Sequence, residues 1–85
     1  MKAQAKLRLS FLSEEDLVIA YKALMPEAEK PATSRSKATL KMEGSSLVLV
    51  VKAQDTVALR AALNTYLRWI NSILKVLSLM KSFKN

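Results

Sequence analysis

Polar and apolar residues keep two different rhythms along this chain. Between Ala3 and Leu12 the apolar residues Ala3, Ala5, Leu7, Leu9 and Phe11 alternate with Gln4, Lys6, Arg8 and Ser10. Period two is that of a strand with one buried face. The rhythm changes at Ser13, whose hydroxyl can accept an orphan backbone N–H. Glu14, Glu15 and Asp16 follow, at the positive end of a helix dipole. Leu17, Ala20, Tyr21, Leu24 and Ala28 then share one helical face. Pro26 is expected to end this helix, because proline disfavours helical geometry in the residue before it. Glu27 to Ser36, rich in Pro, Glu, Lys, Ser and Thr, reads as a loop. Ala38, Leu40 and Met42 alternate with Lys37, Thr39, Lys41 and Glu43 as a second strand. Gly44-Ser45 is a hairpin turn in which the chain's single glycine supplies a positive φ. Leu47 to Val51 is unbroken apolar sequence, so the third strand, Ser46 to Ala53, is expected to be covered on both faces. Asp55 caps a final helix whose periodicity runs to Lys81.

The apolar surface of that helix is broad. Leu59, Leu63, Tyr66, Ile70, Ile73 and Leu77 define its centre line. Leu67 and Leu74 widen it on one side; Ala62, Trp69, Val76 and Met80 widen it on the other. About half the circumference is covered, more than the roughly 100° a surface helix turns toward its own core.

The element order is β-α-β-β-α, an α+β fold in a single domain, residues 1–85. The third strand, being the most apolar, belongs at the centre of a three-stranded antiparallel sheet, with both helices on one face. That placement also satisfies the right-handed crossover from the first strand to the second. Val48 and Val50 then point to the opposite face, where no element remains to cover them. Both the broad helix and this face predict burial against another molecule.

Size sharpens that expectation. A chain of 85 residues has one small core of marginal stability, and without cysteine neither disulfides nor thiolate metal sites can reinforce it. Oligomerisation remains. Histidine is also absent, which removes the commonest general base and metal ligand. The net charge is +7, and Thr56 to Asn85 holds five bases and no acid. Such an excess suits a polyanion, and it equally keeps an apolar protein dissolved. Trp69–Met80 is interrupted by Asn71, Ser72, Lys75 and Ser78, too polar for a bilayer span of ~20 apolar residues. No signal-like apolar stretch opens the chain, so a cytoplasmic location is expected.

No catalytic or cofactor-binding constellation emerges. Ser/His/Asp and Cys/His arrangements are excluded by composition, and one glycine cannot build a phosphate loop. Glu14, Glu15 and Asp16 are the only acidic cluster, and a helix start accounts for them. Arg60, Asn64 and Arg68 form a polar ridge that Asn71 and Lys75 continue. On spacing it reads first as a solvated back face and second as an edge for a partner protein or RNA phosphates. Tyr66 and Trp69, at apolar helix positions, read as core before they read as base-stacking platforms.

The run from Ala53 through Asp55, Leu59-Arg60-Ala61, Leu63-Asn64 and Leu67-Arg68 resembles the signature of the small dimerising subunit of the KEOPS (EKC) complex. Ala23-Leu24-Met25-Pro26-Glu27 is similar to that family's Leu-x-Pro-Glu element, and the hairpin around Gly44 fits. The likeness extends from the first strand to about Ile73. It implies a non-catalytic homodimer that bridges two copies of an ATPase-like catalytic subunit. The complex, with its kinase and a further small subunit, makes N6-threonylcarbamoyladenosine at position 37 of tRNAs reading ANN codons. The resemblance assigns Arg60, Asn64, Leu67, Arg68, Asn71, Leu74 and Lys75 to the catalytic subunit. It assigns Val48 and Val50 to self-association, and Lys75, Lys81 and Lys84 to tRNA contact. A stand-alone basic RNA-binding domain is the alternative, and a membrane-surface protein a third reading.

Overall fold

The computed structural model describes residues 3–29 and 35–84, apart from the side chains of Glu27 and of residues 81–84. Its elements are β1 (Ala3–Ser10), α1 (Glu14–Glu29), β2 (Ser36–Glu43), β3 (Ser46–Ala53) and α2 (Thr56–Lys84). The strands form one antiparallel sheet in the order β1-β3-β2, with the apolar β3 at its centre. Rows such as Leu7–Leu49–Leu40 and Ala5–Val51–Ala38 face the helices. Against them pack Leu17, Ala20, Leu24 and Ala28 of α1 and Ala62, Tyr66, Ile70 and Leu77 of α2.

Local chemistry fixes the ends of the elements. Asp16 N donates to Ser13 Oγ at 3.3 Å, and Ala58 N donates to Asp55 Oδ1 at 2.8 Å. Both helices therefore start on side-chain caps. Gly44 has φ +59° and no other described residue has a positive φ, as a hairpin with glycine first in its two-residue loop requires. β1 stops at Ser10 rather than Leu12, because its partner β3 begins opposite it at Ser46. Phe11 N then bonds Ser45 O at 3.0 Å, and Leu12 is fully exposed.

Pro26 does not end α1, which continues to Glu29. Proline removes the hydrogen bond to the carbonyl of Lys22, but Lys22 and Pro26 lie on the exposed side, where water can satisfy that carbonyl. The extra turn places Ala28 in the core. The loop expected from Glu27 shortens accordingly, and its residues 30–34 lie outside the described ones.

The buried line of α2 also differs from expectation. Ala58, Ala62, Tyr66 and Ile70 are buried, whereas Leu59 and Leu63 are half-buried. Alanine lets the helix backbone approach β3, and the leucines fill the flank. With 29 residues, α2 is roughly 43 Å long, against about 26 Å for an eight-residue strand. It therefore outruns the sheet, and Leu77 is its last buried residue among those described.

Candidate functional site

Two surfaces of opposite chemistry lie on opposite sides of the sheet. The first belongs to the helices. Of nine exposed large hydrophobic side chains among the described residues, seven (Val57, Leu67, Trp69, Leu74, Val76, Leu79 and Met80) sit on α2, so the apolar surplus is local. Between the helices runs an apolar groove of about 270 Å³. Ile19 and Ala23 line it from α1, and Trp69, Ser72, Ile73, Val76 and Leu77 line it from α2. Tyr66 is core, but Trp69 is 44% exposed on the groove's rim. It lies outside the core where its apolar position suggested it would be.

Arg60, Asn64, Leu67, Arg68, Asn71, Leu74 and Lys75 are all exposed. At 100° per residue they fall along the flank of α2 turned away from the groove. Leu67 and Leu74, 43% and 40% exposed, supply its apolar part. The backbone of α2 carries Lys81 and Lys84, but their side chains lie outside the described residues.

The second surface is the open face of the sheet. Its cross-strand rows are Gln4–Lys52–Lys37, Lys6–Val50–Thr39, Arg8–Val48–Lys41 and Ser10–Ser46–Glu43. Val48 does face this side, yet it has no exposed surface, which corrects the expectation that nothing covers it. The Arg8 guanidinium reaches Glu43 Oε1 at 3.1 Å, and Lys41 Nζ lies 3.0 Å from Glu43 Oε2. Arg8 stands opposite Val48 on one edge strand and Glu43 opposite Ser46 on the other, so the first of these bridges crosses above β3 beside Val48. Val50 is half-buried. Hydrogen bonds from Lys41 and then from Arg8 hold the Glu43 carboxyl below the usual carboxylate range.

This basic convergence was not anticipated from the sequence, where the late part of the chain drew attention as the basic region. Its signal was present: Lys6, Arg8, Lys37, Lys41 and Lys52 all occupy the polar parity of their strands. Only the register shows that they meet. The described residues hold no cluster of metal-ligating side chains, and none of their helices is long and apolar enough to cross a membrane.

Comparison with known proteins adds three findings. The KEOPS complex subunit Pcc1 of Pyrococcus abyssi (strain GE5 / Orsay) is 33% identical over 78 residues, which is 92% of this chain and 95% of that protein. A chain in the crystal structure of the binary Gon7–Pcc1 complex superposes with a TM-score of 0.79. It covers 93% of this chain and 96% of that one at 17% identity, a likeness of fold. A family model described as transcription factor Pcc1 matches residues 4–78. That match begins in β1 and ends well along α2, and on it the chain belongs to the Pcc1 family.

Proposed function

We propose that this protein is a non-catalytic scaffold subunit of a KEOPS complex, holding copies of the catalytic subunit in place for threonylcarbamoylation of tRNA adenosine. The observation that carries the reading is the concentration of exposed apolar side chains on α2. A helix that leaves Trp69 and Val76 open to water along the groove, and Leu67 and Leu74 open on the opposite flank, carries more apolar surface than its own core uses, which fits a protein partner. The name of the 33% identical relative as a KEOPS subunit supports the same assignment. The catalytic subunit docks on α2, with the flank from Arg60 to Lys75 and the groove on the opposite side of the helix as its two candidate contacts. Kinase and further small subunit join indirectly, and no cofactor is required of this chain.

Self-association belongs to the sheet half of the molecule. Val48 is closed off and Val50 half-buried, so the unpaired edges of β1 and β2 offer a second copy more than the open face does. The test is co-purification with the catalytic subunit, comparing the native chain with Leu74→Asp and Val76→Asp. Both sites are exposed, so folding should survive, while capture should fall at least tenfold. Light scattering at low and high salt should give a dimer in both. Undiminished capture by both variants, or a monomer at every salt concentration, would reject the scaffold.

A further inference from the structure

We infer that the open face of the sheet is a binding surface for the phosphodiester backbone of a structured nucleic acid, centred on Lys6, Lys37 and Lys52. The face carries five bases against one carboxylate, four of the chain's seven net positive charges. Those charges are not spread evenly. At the hairpin end Glu43 engages Arg8 and Lys41. At the other end, among the described residues, no acid pairs with Lys6, Lys37 or Lys52. Lys37 and Lys52 are direct cross-strand partners, an arrangement of like charges that costs stability. Lys6 lies on the diagonal beside them, facing Val50. A fold that keeps three unneutralised ammonium groups this close gains from an anion with several charges in a row.

The chemistry of the face selects the kind of anion. Lysine is depleted from protein–protein contacts, which are built around aromatic anchors, and this face holds no aromatic residue. Its one partly open apolar side chain is Val50, too little to enter a lipid headgroup layer. Without aromatics there is nothing to stack bases, so recognition is of backbone and not of sequence. Gln4 and Thr39 stand beside the lysines as hydrogen-bonding groups for phosphate or sugar oxygens. The inference does not depend on the scaffold reading, because it uses the opposite side of the molecule.

The test is fluorescence anisotropy of the full chain with a labelled RNA hairpin across a salt series. The variant Lys6→Gln/Lys37→Gln/Lys52→Gln is set against Arg60→Gln/Arg68→Gln/Lys75→Gln, which removes the same charge from α2. Circular dichroism should show both folded, and the sheet variant should be no less stable than the native chain. The sheet variant should lose at least tenfold in affinity, and its log–log salt slope should fall by about 2 to 3, since each neutralised phosphate contributes about 0.9. The helix variant should change little. Equal losses from both variants would mean diffuse charge and would overturn the site, as would an unchanged sheet variant. Polyglutamate or anionic phosphatidylserine vesicles binding as well as RNA would reassign the face and defeat the proposal. A DNA duplex in parallel separates the two sources of phosphodiester: preference for RNA points to the sugar hydroxyls, parity to backbone charge alone, and either supports the site.

Discussion

Asp55 serves two partners with one carboxylate. Oδ1 accepts the N–H of Ala58, and Oδ2 meets the guanidinium of Arg35, whose own carbonyl accepts Gln54 N–H at 3.1 Å. The start of α2 is thereby tied to the start of β2. Asp55→Ala should cost about 1 kcal/mol through the lost cap, lowering the midpoint of a thermal melt by about 4–8 °C. Asp55→Asn, which keeps the acceptor but not the charge, should recover most of that; equal losses would place the effect in the ion pair. Caps of this kind are legible in a sequence because the whole interaction lies within four residues. Val48 was not legible for the opposite reason. Its neighbours across the sheet, Arg8 and Lys41, belong to the two edge strands, far away in sequence, and only the register brings them together.

Among the elements, α2 shows where hydrophobicity and packing part company. Leucines score highest on its wheel, so a centre line through Leu59 and Leu63 is the natural reading. The helix instead buries Ala58 and Ala62, and Ala62 belongs to the core against the sheet, where a small side chain lets the helix lie close. Ala62 has no exposed surface, so Ala62→Leu should lift the helix off β3 and cost about 1–3 kcal/mol in chemical denaturation. A neutral result would mean that α2 can slide without penalty. The same contrast explains Pro26. A local rule ended the helix there, and the burial of Ala28 two residues later overrode it. The strands were the easiest elements to place, since period two, one unbroken apolar run and a single glycine fix their order and their turn, although β1 ends at Ser10 and not at Leu12.

For the molecule as a whole, element order, antiparallel sheet and the central place of β3 could all be reasoned out from pattern. The apolar surplus of α2 was also visible, because a small chain cannot hide so broad a stripe. The basic face is not legible in the sequence, since its five charges belong to three strands whose pairing sets them side by side. If the two surfaces act as proposed, saturating the helix layer with the catalytic subunit should leave the affinity of the sheet face for an RNA hairpin unchanged within twofold, measured by titration. A larger change would mean that the partner itself contacts RNA or reshapes the sheet.

The sheet is a single layer, and that thinness has a further consequence. A ligand on its open face and a partner on the helix layer behind it would be held by one rigid body, yet share no side chain that both must claim. If both surfaces act as proposed and the body between them is rigid, their binding free energies sum, and neither ligand has to arrive first. Assembly on such a plate would then have no obligatory order, and the protein could be loaded from either side with whichever component is at hand.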